Sequence, residues 1–138
     1  MTAGFNAPII EEFRANGGKV GGWFAGARLL LLTTTGARSG RLHTVPLGYL
    51  PDESVAGRLL VVASAAGAAK HPGWYFNVLA EPAVTIEDGT RTYAARATVL
   101  DGAERDRAFA WAVQQSPGYA KYQDMTTRIL PVIALSAG

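Results

Sequence analysis

Residues 29–41 read Leu-Leu-Leu-Leu-Thr-Thr-Thr-Gly-Ala-Arg-Ser-Gly-Arg, and residues 44–50 follow with Thr-Val-Pro-Leu-Gly-Tyr-Leu. An apolar run passing into β-branched threonines favours extended chain, and glycine punctuation ends it. The stretch therefore predicts two strands, Leu29–Thr35 and 44–50, joined by a glycine-flanked loop. Working outward, Leu59, Leu60, Val61 and Val62 repeat the buried-strand signature within 58–64, after a polar turn at 51–57. Asp88-Gly89 supplies the positive-φ tolerance of a tight hairpin turn between Ala83–Glu87 and 90–100. Residues 129–135 read as a closing strand.

The helices are few and peripheral. Ile9, Ile10 and Phe13 recur at helical spacing until Gly17-Gly18, predicting an amphipathic opening helix that covers the core. Its secondary reading is weak docking on a membrane surface. Pro72 suits a first helical turn, with Trp74, Tyr75, Val78 and Leu79 following until Pro82 forbids continuation. Residues 103–115 carry Phe109, Trp111, Ala112 and Val113 among charges, and a short helical stretch at 119–125 follows Pro117-Gly118. Closely spaced strands with peripheral helices point to an α+β, mainly β fold. It is an antiparallel barrel rather than a βαβ sheet, and one domain spans 1–138.

Composition narrows the function. The chain has 138 residues, 49% hydrophobic and 17% charged, enough to bury one core and leave material for an apolar pocket. There is no cysteine, which removes disulfides, thiolate nucleophiles and zinc–cysteine clusters. With His43 and His71 as the two histidines, a metal site has no support. A net charge of +2 is too small to mark a nucleic-acid binder, but converging arginines would favour an anionic small ligand. No Gly-x-Ser-x-Gly elbow appears, so hydrolysis lacks positive support, and Asp52-Glu53 and Glu87-Asp88 read as solvated turn acids. Residues 1–20 contain Glu11, Glu12 and Arg14 rather than a signal sequence, and no apolar run could span a bilayer. The expected address is the cytoplasm, with the inner membrane face as a peripheral alternative.

Three constellations carry chemistry. Residues 34–41 place Arg38 and Arg41 among hydroxyls and glycines in one connection. Glycine admits backbone N–H groups close to a phosphate, and guanidinium forks match its oxygens. Read alone, the string also fits a solvated hairpin tip. Residues 63–77 run from small side chains (Ala63, Ser64, Ala65) that would not obstruct a planar ring, through Lys70 and His71, to a helix start that favours anions. The plainer account makes Trp74, Tyr75 and Phe76 core and Lys70 solvated. Tyr119 and Tyr122, three apart, could wall a pocket or simply pack.

Together these strings resemble the deazaflavin (coenzyme F420)-dependent nitroreductase family, a branch of the split β-barrel flavin-binding superfamily. The resemblance spans nearly the whole chain. It runs through 12–22 (EFRANGGKVGG), 31–40 (LLTTTGARSG), Val45-Pro46-Leu47, 70–77 (KHPGWYFN) and Tyr119-x-x-Tyr122-Gln123, in order and spacing. It implies an F420-dependent reductase on a split antiparallel barrel. Arg38, Ser39, Gly40 and Arg41 would hold the coenzyme's phosphate and anionic tail, with His43 and Lys70 adding contacts. Val45, Pro46, Leu47, Ala63, Ser64 and Ala65 would line the ring, with Pro72 and Trp74 completing the coenzyme site. Tyr119 and Tyr122 are the catalytic candidates, shaping the acceptor site and orienting a proton. Nitroimidazole-reducing members tend to carry tyrosine at the position of Ser116 and lysine at that of Ala65, and both are absent here. The resemblance thus points to a small hydrophobic acceptor such as an unsaturated lactone or a quinone ahead of a nitroaromatic.

The competing readings are an FMN-dependent split-barrel oxidoreductase and a non-catalytic coenzyme or lipid carrier. A weaker one is a docking module built on Ile9, Phe13, Trp23 and Phe24. The assembly is a monomer or a homodimer.

Overall fold

The computed structural model describes residues 2–21 and 28–137. The leucine run forms β1 (Leu29–Thr35), which pairs antiparallel with β2 (Leu42–Gly48) in a register running from Leu29 opposite Gly48 to Thr35 opposite Leu42. Five further strands follow: β3 (Leu50–Pro51), β4 (Leu59–Val62), β5 (Ala83–Glu87), β6 (Thr92–Val99) and β7 (Val132–Ala137). The seven lie in the order β2-β1-β5-β6-β7-β4-β3, with antiparallel neighbours throughout, and curl into a half-barrel. Among the described residues four α-helices flank it: α1 (Thr2–Ala15), α2 (Gly73–Ala80), α3 (Gly102–Gln115) and α4 (Gly118–Asp124).

Strand alternation divides each apolar run between two interiors. Leu30 and Leu32 join Val61, Ile86, Ile133 and Leu135 inside the barrel. Leu29 and Leu31 face outward, where Phe13 of α1 closes over them. On the opposite side Leu60, Val62 and Val132 point out toward Ala108 and Ala112 of α3. A helix over each outer face explains why these strands are apolar throughout rather than alternating. Burying each leucine contributes about 1.5–3 kcal/mol before chain entropy is subtracted.

The elements match the sequence reading, with shifted ends. The stretch 44–50 divides into β2, which begins at Leu42, and the two-residue β3. Strand pairing stops at Val62 where 58–64 was expected to continue, because the chain turns at Ser64. The closing strand starts at Val132 instead of Ile129. Pro131 has no N–H to give, and Leu130 spends its N–H on Gln123 Oε1 and its carbonyl on Arg105. The β5–β6 connection is a four-residue loop rather than a tight two-residue turn, since Asp88 Oδ1 accepts from the amides of both Thr90 and Arg91.

Gly89, with φ +97°, tops that loop against the end of α1. A Cβ there would lie 2.6 Å from the Gly17 carbonyl oxygen and 2.9 Å from Gly18 Cα, so three glycines let helix end and hairpin touch backbone to backbone. Arg14 of α1 reinforces the seam by donating to both carboxylate oxygens of Glu87, at 2.9 and 2.8 Å. Gly89→Ala is expected to destabilise by about 2–3 kcal/mol, through backbone strain and contact together. Gly57→Ala, at φ +80° with no atom within 4 Å, supplies the strain alone and should cost less. Paired thermal melts compare the two.

Candidate active site

A cleft of about 830 Å³ opens at one end of the half-barrel. One wall comes from the open end of the β1–β2 hairpin, with Arg28, Leu29, Pro46, Leu47 and Gly48, continuing into Tyr49. Pro46 is tolerated because β2 is an edge strand of the sheet. Facing it are Ser64, Ala65 and Ala66 beyond β4, Pro72 and Trp74 at the start of α2, and the α3–α4 corner with Gln115, Ser116, Tyr119 and Tyr122.

The turn after β4 is the most constrained backbone in the site. Ala65, Ala66 and Gly67 have φ of +47°, +53° and +81°, and left-handed conformation in a non-glycine residue costs of order 1–3 kcal/mol, so the surroundings must impose it. Two hydrogen bonds close the turn, from Gly67 N–H to the Ser64 carbonyl and from Ala68 N–H to the Ala65 carbonyl. Gly67 is pressed on α4, since a Cβ there would meet Met125 at 3.0 Å and the Tyr122 carbonyl at 3.1 Å. Among the described residues, the Ala65 and Ala66 amides have no hydrogen-bond acceptor, and both residues line the cleft. Two donors beside short side chains suit the polar edge of a flat ligand.

Beside this turn, Tyr119 and Tyr122 of α4 meet edge to face with ring centroids 6.4 Å apart. Burial, and secondarily the neighbouring Tyr122, pushes the Tyr119 phenol above its ordinary range, so it remains an O–H donor at neutral pH. Its hydroxyl lies 3.7 Å from where a Cβ on Gly48 would stand, so the phenol reaches the β2 end of the cleft. The helix bearing both tyrosines is held by Gln123, which accepts from Leu130 N–H at 3.0 Å and donates to the Arg128 carbonyl at 2.7 Å.

Of the residues singled out in the sequence, Pro46, Leu47, Ser64, Ala65, Pro72, Trp74, Tyr119 and Tyr122 come together in the cleft. Val45 and Ala63 do not line it. Both pack against the barrel interior: Ala63 alternates with its cleft-lining neighbours Val62 and Ser64, while Val45, on the same face as Leu47, lies one pleat repeat farther from the open end. Arg38, Ser39, Gly40, Arg41 and His43 are exposed around the far end of the β1–β2 hairpin, a strand length of about 20 Å from Leu29. That loop is nonetheless built. Gly36 N–H donates to the Arg41 carbonyl, Arg41 N–H donates to Ser39 Oγ, and Ala37 N–H donates to Asn77 Oδ1 of α2. Lys70 is exposed beside His71. Phe13 is 2% exposed beneath α1, which removes it from any docking surface, and Trp23 and Phe24 lie outside the described residues. Among the described residues no helix is long and apolar enough to cross a membrane.

Sequence reasoning missed Arg28, Tyr49 and Gln115 as lining residues, and it missed Arg128 altogether. The Arg128 guanidinium lies within 2.8–3.1 Å of the carbonyl oxygens of Ala63, Ser64 and Ala68 and of His71 Nδ1. Nothing in the polar string 126–128 signals this.

Comparison with known proteins gives a consistent picture. A family model described as F420H(2)-dependent quinone reductase matches residues 9–137. An F420H(2)-dependent quinone reductase of Mycobacterium tuberculosis strain H37Rv is 34% identical over 128 residues, covering 90% of this chain and 84% of its own. Among solved structures, an F420-H2 dependent reductase (FDR-A) is 41% identical with a TM-score of 0.70, over 79% of this chain and 94% of its own. Another, described as a domain-swapped dimer, is 37% identical with a TM-score of 0.72, over 94% and 92%. The haem-storage protein HutZ of Vibrio cholerae, at 18% identity and a TM-score of 0.57 over 95% of this chain and 89% of its own, shares the fold alone.

The Arg128–His71 contact generates a pH prediction. Burial, and next the Arg128 charge, hold the His71 imidazole below its ordinary range, so the folded state disfavours its protonation. The unfolded chain takes up that proton near pH 6.5. The contribution of this site to stability is therefore complete above about pH 6.5 and declines as pH falls through the folded-state value. Denaturant titrations from pH 8 to pH 5 should show the gap between wild type and His71→Gln narrowing below about pH 6.5. A gap independent of pH would contradict the assignment.

Proposed function

The chain belongs to the F420H(2)-dependent quinone reductase family, and from that membership we propose that the cleft seats the deazaflavin ring of coenzyme F420 beside a quinone. The observation that carries this reading is the pair of amides, Ala65 and Ala66, that have no acceptor among the described residues and line the same cleft as the protonated phenol of Tyr119. The residues fit the coenzyme. About 830 Å³ lies in the range of sites that hold a drug-sized ligand, with room for a ring and a flat acceptor. The Ala65 and Ala66 amides supply donors for the ring's polar edge. Arg38, Arg41 and Lys70, with Ser39, Gly40 and His43, supply cationic and polar partners for the acidic tail along the hairpin. The tail's length is what lets a loop about 20 Å from the cleft belong to the same site.

When bound, the reduced coenzyme supplies a hydride, and the protein's part is placement and charge stabilisation. Pro46, Leu47 and Trp74 hold the stack and exclude water. Tyr119 donates its O–H to the acceptor carbonyl oxygen, where negative charge develops as the quinone is reduced. Tyr122 packs edge-on against Tyr119 and fixes its ring. Arg28, Tyr49, Ser64, Gln115 and Ser116 supply the rest of the cleft's polar lining. The whole of 1–138 serves as one coenzyme-binding domain in this account. A homodimer is the assembly we favour, because exposed Leu42 on the edge strand and Phe76 and Leu79 on α2 offer apolar surface for a second copy.

Anaerobic mixing of the reduced coenzyme with a naphthoquinone tests the reading. Turnover should be accelerated over the protein-free reaction, and FMN should not substitute. Tyr119→Phe is expected to lower kcat at least about tenfold while leaving the coenzyme's Kd within about twofold. No acceleration for the wild type would favour a carrier, and an unchanged kcat in Tyr119→Phe would remove the phenol from the reaction.

A further inference from the structure

Arg128 does not line the cleft, yet its guanidinium makes four hydrogen bonds to residues 63–71, the segment that carries the cleft residues Ser64, Ala65 and Ala66. Resting on the coenzyme reading above, we propose that Arg128 is a positioning residue for the coenzyme. It grips both limbs of the 63–71 turn and polarises the Ser64–Ala65 peptide, so that the Ala65 amide is presented to the cleft as a strengthened donor.

The geometry divides its work in two. Nη1 donates to the Ala63 carbonyl at 3.1 Å and Nη2 to the Ser64 carbonyl at 2.8 Å, on the limb leaving β4. Nε donates to the Ala68 carbonyl at 2.9 Å, and Nη1 stands 2.9 Å from His71 Nδ1, on the limb entering α2. Between those limbs lie Ala65, Ala66 and Gly67, all left-handed. A planar guanidinium with donors fixed in a fork spans the gap between two backbone limbs in a way that a single ammonium cannot. Tying the limbs together holds the alanines in a conformation they would otherwise leave.

The second effect is electronic. The carbonyl of Ser64 and the N–H of Ala65 belong to one peptide unit. The carbonyl accepts a short charge-assisted bond from Arg128, while the N–H has no acceptor among the described residues. A hydrogen bond at one end of a peptide unit strengthens the donor at the other, so positive charge behind the wall is felt at the Ala65 N–H. An acceptor can then stack beside a wall that attracts an electron-rich ring edge.

The test titrates oxidised coenzyme F420 into wild type, Arg128→Met and Arg128→Lys. It is read by fluorescence, alongside thermal melts, hydrogen exchange of the 63–71 amides and steady-state KM for a naphthoquinone. Arg128→Met is expected to raise the coenzyme's Kd about 10- to 100-fold and to speed exchange at residues 65–67, with the quinone KM within about twofold. Arg128→Lys keeps the charge but not the fork and should fall between, with Kd raised at least about threefold. If Arg128→Met does not fold by circular dichroism, Arg128→Lys decides by that same threshold. A Kd raised less than threefold in the folded variant overturns the proposal, as does an equal rise in coenzyme Kd and quinone KM, which would mark general loosening. Failure of the wild type to bind the coenzyme overturns the cleft reading itself, and this proposal with it.

Discussion

The reversal of the chain after β4 is the constraint on which the site depends. Val61 and Ala63 are anchored in the barrel interior, and Trp74 is anchored there too from the first turn of α2. The connecting residues must therefore leave the sheet and return to it at its open end. They do so through three consecutive left-handed residues, held from behind by Arg128 and pressed from the side by α4. A turn closed by ordinary right-handed residues would bring its amides into local hydrogen bonds. This one leaves the amides of Ala65 and Ala66 without acceptors among the described residues. In the proposed reading, strain imposed by packing becomes binding capacity for the coenzyme.

The barrel supplies the rigidity that makes such a turn affordable. Its strands bury apolar side chains on both faces because helices cover the outside at two places, α1 over β1 and α3 over β4 and β7. The two caps leave one end of the half-barrel open, and there the β1–β2 hairpin, the left-handed turn and the α3–α4 corner converge. Each contributes a different chemistry: apolar bulk from Pro46 and Leu47, backbone donors from Ala65 and Ala66, and a phenol from Tyr119. The far end of the same hairpin carries Arg38 and Arg41, so in the proposed reading one supersecondary unit would address both ends of an elongated ligand.

Much of this was legible in the sequence, for definable reasons. The four-leucine strand, the Pro72-initiated helix and the Asp88-Gly89 hairpin are local features, governed by residues adjacent in the chain. The pairing of distant strings was reached only through resemblance to a family whose motifs occur in the same order. Ends of strands were less legible, because they are set by partners far away: Leu130 is withheld from β7 by Gln123 and Arg105. Val45 and Ala63 belong to cleft-flanking strings but pack in the interior, Ala63 by alternation with Val62 and Val45 because it sits one pleat repeat beyond Leu47 on the same face. Arg128 was invisible because its partners are backbone carbonyls about 60 residues upstream, and carbonyls carry no sequence signature.

The central claim, that the left-handed turn presents amides to the coenzyme, is tested most directly by titrating ¹⁵N-labelled protein with oxidised coenzyme F420 and following each amide resonance. The account predicts that the Ala65 and Ala66 amides shift most within the cleft, with a second set of shifts in the loop carrying Arg38 and Arg41. Saturating binding that leaves Ala65 and Ala66 unperturbed would contradict it.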